Sequence, residues 1–450
     1  MTIDMLPDVA LLKIFDFYVE ARADVWYTLV QVCRNWRSVA FGSPRRLNLQ
    51  LHCGARTPVR ETLDVWPPLP IVVRSSGHEA PVVDNLVAAL EYNDRISEIN
   101  LYNMSSSQFE RVSRAMHQPF PALEHLNLGF NEETALVDPA SFLGGSAPRL
   151  RSLGLIRNPL PGLPKLLLST THLTHLTLWF IPHSVYISPE VMASCLSVLT
   201  RLETLELSFE SPRSRPDRQR PPPPTRALLP VLNSLHCSGV SEYLEDLMAR
   251  IDAPLLDNLQ ITFFHQLIFN TPQLTQFISR TPKFKTHDTA HLLFSAGVIS
   301  ATVDERLRLE VSCSRSDWQL SSLAQVCGSS FPRALISAVD HLCLIEGEFT
   351  QRPLPWQDDI DNGQWLEIFR PFTAVKYLYI SSEFMRHATP ALQELIGERV
   401  AEVLPALLTL FLEEIPSGPF EEAMGQLFAA RELVGRPIAL IPWKRKRVEG

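Results

Sequence analysis

The amino-acid sequence predicts an α/β protein in which three short N-terminal helices precede a long array of strand–helix repeats. Two patterns support this prediction. Apolar residues recur at helical spacing near the N-terminus, and a leucine pattern recurs along most of the remaining chain. At 450 residues the chain is too long for one ordinary compact domain, and 45% hydrophobic residues supply ample apolar surface for a core. An elongated repeat array satisfies both conditions.

The helical region is predicted to start at Pro7 and Asp8. Proline loses no hydrogen bond in a first helical turn, and an acid there complements the helix dipole. Two apolar stripes at helical spacing follow: Leu11, Ile14, Phe15 and Tyr18, then Leu29, Val32, Cys33, Trp36 and Ala40. Three helices this short cannot bury so much apolar surface among themselves. Part of that surface is therefore expected to contact a partner or the next domain.

The leucine pattern has the form LxxLxLxxN where it is most complete, at 123–131 and 150–158. Its apolar positions recur in copies that start at Ile96, Leu173, Leu202, Leu232, Leu256, Val339, Val375 and Leu407. Most copies start roughly 23 to 36 residues apart, which is the range of leucine-rich repeats with a strand and a helix in each unit. The pattern predicts a leucine-rich-repeat solenoid, a curved parallel sheet with helices on its convex side, in which stacked units share one core.

Three parts of the chain depart from the repeat. Residues 46–90 are predicted to be a linker and N-terminal cap, and the solenoid is assigned to 91–450. Between about 284 and 311 three strand-like segments lie closer together than the repeat allows, which indicates an irregular unit or an added hairpin. The proline-rich basic segment 211–226 predicts a disordered loop.

The segment LPDVALLKIF…WYTLVQVCRNWRSVAF, within residues 1–45, resembles the F-box. It carries a Leu-Pro start, an Ile-Phe pair and a VCRxWR core. An F-box followed by leucine-rich repeats is similar to a large family of such proteins in mushroom-forming fungi. The resemblance implies that this segment binds a Skp-type adaptor and, through it, a cullin of a ubiquitin ligase. The residues it assigns to adaptor binding are Leu6, Pro7, Leu11, Ile14, Phe15, Val32, Cys33 and Trp36. Val9 departs from the family pattern, which usually has an acid there.

The outward positions of the predicted strands are the natural binding face of a solenoid. We expect an unidentified protein target to bind there. The candidate residues are Tyr102, His125, Asn127, His175, Trp179, Glu206, Tyr377 and Tyr379. Exposed aromatic side chains are typical interface anchors. The alternative for each residue is that it is ordinary sheet surface or is covered by helices or loops.

No enzyme motif is found in the sequence: it has no nucleotide-binding glycine loop, no nucleophile elbow and no zinc-ligand spacing. His172 and His175 form a pair on a strand entry, but no cysteine or acid at ligand spacing accompanies them. We therefore expect no catalysis, no cofactor and no metal. Three hypotheses remain: a substrate-recognition subunit of a ubiquitin ligase, a leucine-rich-repeat scaffold or inhibitor with a non-functional F-box, and a hydrolase with an unrecognised His/Asp site.

Charge and cysteine usage bear on partners and compartment. A net charge of −8 gives no general attraction to nucleic acid or to anionic membranes, so neither is an expected partner. Seven scattered cysteines without a CxxC motif favour reduced thiols inside a cell, in the cytoplasm, the nucleus or both. The basic tail from Trp443 to Arg447 is compatible with a nuclear import signal or with a solvated terminus.

Overall fold

The structure is a computed structural model, and it describes residues 6–21, 26–42, 49–66, 68–75, 79–130, 142–157, 162–212, 225–264, 269–285, 287–295, 297–312, 319–346, 362–394, 402–413 and 419–444. The chain forms two compact units. The first contains Met1–Ile187 and Ser194–Glu210, and the second contains Ser188–Ala193 and Ser211–Gly450. Both units combine helices with a mainly parallel sheet. The predicted mixed α/β fold is therefore confirmed.

The first unit starts with three helices, α1 (Asp8–Ala21), α2 (Trp26–Val32) and α3 (Arg34–Gly42). Their core is closed by an aromatic pair, because the Phe15 and Trp36 rings lie 5.0 Å apart at 58°. The same apolar cluster includes Leu49, which begins the first strand of the sheet. The helices therefore pack directly on the repeat array.

Seven parallel strands follow in chain order: β1 (Leu49–His52), β2 (Ile71–Ser75), β3 (Ile96–Met104), β4 (His125–Phe130), β5 (Ser152–Ile156), β6 (His175–Ile181) and β7 (Thr204–Phe209). The helices of this region are α4 (Val59–Val65), α5 (Ala80–Leu90), α6 (Ser106–Ala115) and α7 (Leu163–Ser169). The next helix, α8 (Pro189–Leu196), has residues in both units. Within the predicted linker and N-terminal cap at 46–90, β1 pairs with β2 and β2 pairs with β3, so these two strands extend the repeat sheet on its N-terminal side.

The LxL residues explain the sheet. Side chains alternate across a strand, so the two leucines of each copy point to one side. In β4 and β6, for example, Leu126 and Leu176 are fully buried and Leu128 and Leu178 are at most 1% exposed. The residues between the leucines lie on the opposite side, which we call the open face.

The strands of the second unit's sheet are β9 (Ser234–Gly239), β11 (Asn258–Phe263), β12 (Thr289–Ser295), β13 (Val298–Val303), β14 (Leu307–Ser312), β15 (His341–Glu346), β16 (Tyr377–Ile380), β17 (Thr409–Leu412) and β18 (Ala439–Pro442). Its helices are α9 (Ser241–Arg250), α10 (Pro272–Arg280), α11 (Gln319–Ser329), α12 (Arg333–Ile336), α13 (Asn362–Phe369), α14 (Ser382–Gln393) and α15 (Pro419–Leu433). Two short strands, β8 (Ala227–Leu228) and β10 (Ile251–Asp252), pair separately. Residues 213–224 of the predicted proline-rich loop lie outside the described residues.

The region of unclear register contains an antiparallel insertion. The strand order is β11-β14-β13-β12-β15, with β13 antiparallel to both of its neighbours. Parallel strands need a crossover of a dozen or more residues, and the connections within this segment are far shorter. Asp304 and Glu305 turn the chain with φ of 51° and 55°. The insertion joins the repeat sheet through parallel pairs on both sides, β11 with β14 and β12 with β15.

A carboxylate from one helix caps the next helix of the second unit. The Glu245 carboxylate in α9 accepts hydrogen bonds from the backbone N–H groups of Gln273 and Leu274 at the start of α10, both at 2.8 Å. The Thr271 side chain makes no cap hydrogen bond of its own. Burial raises the pKa of Glu245, and the two N–H donors oppose that rise. The cap therefore joins two repeats through a partly desolvated carboxylate.

We expect Glu245→Ala to lower the free energy of unfolding by about 1–2 kcal/mol, because two N–H groups of α10 lose their acceptor. Urea unfolding followed by circular dichroism measures this change. Glu203→Ala is the control, since Glu203 is exposed on the surface. Equal stability of the Glu245→Ala protein and the control would show that water replaces the cap without loss.

Candidate functional site

The predicted adaptor-binding residues divide into buried and exposed groups. Leu11, Phe15 and Trp36 are 0%, 1% and 7% exposed, so they form the core of the helical module. Their assignment to adaptor binding stays a prediction. Leu6 and Cys33 are half-buried at the edge of this core. The exposed members of the set are Pro7, Ile14 and Val32.

An apolar patch lies on the outer side of α1. Val9, Ile14 and Phe17 are 66%, 42% and 76% exposed, and we call these three residues the α1 patch. Val9 and Phe17 lie two helical turns apart, and Ile14 lies one turn before Phe17, so all three lie on one side of the helix. Val32, at the end of α2, is 53% exposed. Sequence reasoning missed Phe17, although its position two residues after the buried Phe15 signals the opposite side of the helix.

A row of hydrogen-bonded polar side chains crosses the open face of the first unit. Asn127 donates through Nδ2 to Oδ1 of Asn100 at 2.7 Å, and Asn100 donates to the Glu98 carboxylate. Gly154 stands next in register, and the Asn127 amide oxygen occupies the space that a Cβ at this position would need. The residue types therefore fit one another across three strands. Glu206 continues this row on β7.

The two predicted histidines, His125 and His175, lie in a second row, two residues before Asn127 and Thr177 on their strands. His125, Ser152 and His175 are neighbours on β4, β5 and β6. His175 is exposed, and its Nδ1 lies 2.9 Å from the Thr174 hydroxyl. Across the ranges that the structure describes, no group of three or more His, Cys, Asp or Glu side chains could hold a metal ion.

Two neighbouring aromatic side chains project from β6. The pairing of β6 with β7 shifts between Leu178 and Ile181, and Trp179 and Phe180 both point to solvent at 39% and 43% exposure. Phe180 has a φ of 54°, which non-glycine residues rarely adopt. The Arg157 guanidinium lies 5.2 Å from the centre of the Phe180 ring. The sequence predicted Trp179 as an interface residue. The exposure of Phe180 follows from the register shift between β6 and β7, which the leucine pattern does not reveal. On β3, Tyr102 is 41% exposed.

The second unit carries an aromatic ladder on its open face, formed by His341, Tyr377, Tyr379, Phe411 and Trp443. The Tyr379 and Phe411 rings stack at 4.4 Å and 7°, and the His341 and Tyr377 rings stack at 4.5 Å and 29°. Trp443 meets Tyr379 edge-on at 5.5 Å. The Tyr379 hydroxyl lies 3.3 Å from His341 Nδ1, and burial is the main cause that raises the pKa of Tyr379.

The structure thus brings the two predicted tyrosines together with three residues that were not predicted. His341 and Phe411 occupy the same outward register as Tyr377 and Tyr379 in their own copies of the leucine pattern, so that register could have identified them. Trp443 follows β18, which carries no leucine pattern, and only the pairing of β17 with β18 places it beside Tyr379. Five half-buried rings on neighbouring strands form a broad surface suited to a protein partner.

None of the helices among the described residues combines the length and apolar character that a membrane crossing requires.

No protein-family model matches the chain, and no curated protein matches its sequence. One similar solved structure is that of the leucine-rich repeat-containing protein LegL7 from Legionella pneumophila. The likeness covers 85% of this chain and 97% of that one, at 12% identity and a TM-score of 0.28. Because the TM-score is this low, the fold is assigned from the strands, helices and strand pairing of this chain alone.

Proposed function

We propose that this protein is a substrate-recognition subunit of a Skp–cullin–F-box type ubiquitin ligase and acts without catalysis. The N-terminal helices bind a Skp-type adaptor, and through it a cullin, while the open faces of the repeats bind a target protein. One observation carries the proposal: the helical module exposes the α1 patch although its own core is already closed around Phe15 and Trp36. Apolar side chains grouped in this way on a small module mark an interaction surface.

Burial of the α1 patch would contribute substantially to the free energy of adaptor binding. Complete burial of one large apolar side chain contributes about 1.5–3 kcal/mol. Phe17 and Val9 are the most exposed of the three, at 76% and 66%, so most of their surface is available for burial. The resemblance to the F-box specifies the partner, because that family's adaptor contact is mainly apolar. The proposed adaptor surface therefore combines the α1 patch with Val32 and Pro7.

Co-expression with a Skp-type adaptor, followed by size-exclusion chromatography, tests the proposal. We expect the wild-type protein to elute with the adaptor at one to one. Ile14→Asp combined with Phe17→Asp should weaken binding by about a hundredfold or more and elute separately, because two charges would be desolvated in an apolar contact. Circular dichroism should match that of the wild type, since both positions are exposed.

The matched control places the same two charges elsewhere. Val231 and Leu255 are 41% and 54% exposed in the second unit, so Val231→Asp with Leu255→Asp controls for lost surface hydrophobicity. This variant should bind the adaptor like the wild type. A wild-type protein that elutes apart from the adaptor, or an α1 variant that still co-elutes, would refute adaptor binding through this patch.

A leucine-rich-repeat scaffold or inhibitor without a ubiquitin role is the second candidate. The aromatic ladder favours it, because that surface belongs to the repeats and is independent of the α1 patch. Deleting residues 1–45 is an unsuitable test, since Leu49 lies in the same core as Phe15 and Trp36 and would lose its cover. The full-length Ile14→Asp, Phe17→Asp protein separates the candidates: a scaffold retains its cellular effect in this variant, and a ligase subunit loses it.

A further inference from the structure

A groove of about 490 Å³ lies on the helical side of the second unit, lined by residues of α11, α12 and α13 and the segments that follow α11 and α13. Its floor is apolar: Cys327, Phe331 and Ile336 are each 2% exposed. The volume falls within the range of sites that bind small molecules, about 300–1,000 Å³. This groove is separate from the α1 patch and from the aromatic ladder.

Small residues keep the groove open. Ala324 and Gly328 lie one helical turn apart on α11, and Ala334 lines the groove from α12. A Cβ added to Gly328 would meet no atom within 4 Å, so neighbouring side chains leave this space unfilled. Glycine within a helix is also less favourable than alanine. Gly328 therefore makes α11 locally less stable, at the position where a larger side chain would fill the groove.

One positive charge at the edge of the groove is uncompensated. Arg370 is paired with Glu367 at 2.8 Å and with Glu402 at 3.4 Å. Arg333 is exposed at the start of α12, and its guanidinium has no ion pair or hydrogen bond with any residue that the structure describes. An apolar floor beside a single unpaired guanidinium is complementary to a ligand with an apolar body and one anionic group.

We propose that this groove binds a small amphipathic monocarboxylic acid, with the apolar chain on the Cys327–Phe331 floor and the carboxylate on Arg333. A guanidinium offers two parallel N–H donors to a carboxylate, which fixes the orientation of the acid. Because Glu367 and Glu402 already neutralise Arg370, the site provides for one negative charge and disfavours a dianion such as a phosphate monoester.

Isothermal titration of the full-length protein with decanoate tests the proposal, with decanol as the uncharged probe. We expect saturable binding of one decanoate per chain and at least about tenfold weaker binding of decanol. Arg333→Gln should weaken decanoate binding by about tenfold and leave decanol binding unchanged, because only the charged contact is removed. Gly328→Leu should abolish binding of both probes by filling the groove.

Gly425→Leu is the matched control. Gly425 is also a helical glycine with no atom within 4 Å of an added Cβ, and it lies on α15 outside the groove. Both leucine variants should unfold at or above the wild-type temperature, which separates blocked binding from misfolding. Absent saturation by decanoate, undiminished binding in Gly328→Leu, or equal affinities for decanoate and decanol in the wild type would each overturn the proposal.

Discussion

Trp365→Ala is expected to lower the free energy of unfolding of the second unit by about 3–5 kcal/mol, the range for removing a large aromatic side chain from a packed core. Trp365 is fully buried on α13. Its ring lies 5.9 Å from Phe294 on β12 and 6.1 Å from Phe384 on α14. The substitution therefore leaves a cavity where a strand of the antiparallel insertion meets two helices. Urea unfolding followed by far-UV circular dichroism measures the loss.

The control is a tryptophan on the protein surface. Trp179 is 39% exposed on the first unit's open face, and Trp179→Ala should change the unfolding free energy by about 1 kcal/mol or less. Similar losses for the two variants would mean that the Trp365 pocket collapses around the deletion. In that case the aromatic cluster of β12, α13 and α14 would be far more adaptable than its packing indicates.

The second large effect concerns thiol chemistry. Burial raises the pKa of Cys53, Cys237, Cys327 and Cys343 from 9.0 to about 12, and that of Cys195 to about 11. Because the thiolate is the nucleophile, a pKa of about 12 lowers the reactive fraction at pH 8 by about a thousandfold, before restricted access is considered. Iodoacetamide labelling followed by mass spectrometry should therefore leave the buried Cys53, Cys195, Cys237 and Cys327 unmodified in the folded protein and modify them in urea.

Cys33 is the internal comparison, since it is only half-buried and should be labelled before the four buried cysteines. The same pKa shifts imply a direction for stability. An unfolded thiol loses its proton near pH 9, whereas the buried thiol keeps it, so stability falls as the pH rises above about 9. Labelling of Cys237 or Cys327 as fast as that of Cys33, or constant stability between pH 8 and 10.5, would contradict the burial of these thiols.

The sequence by itself determined the repeated units. Alternation of leucines in the LxL segments has the period of a strand, and spacing between the copies leaves room for a returning helix, so a parallel sheet with one buried side follows from local chemistry. The same register identified Tyr377, Tyr379 and Trp179 as outward residues. These predictions succeed because they depend on neighbours within one strand.

Only the tertiary structure decided how distant segments meet. Ile14, Phe15 and Phe17 are all apolar, and packing against Trp36 determines that Phe15 is buried while Phe17 remains exposed. The place of the antiparallel insertion in the sheet depends on the pairing of β11 with β14 and of β12 with β15, which are not consecutive strands. The position of Trp443 beside Tyr379 depends on the pairing of β17 with β18. The alternation of side chains along a strand determines which side of the sheet a residue faces. Which strands pair with each other depends on how much apolar surface the whole fold buries.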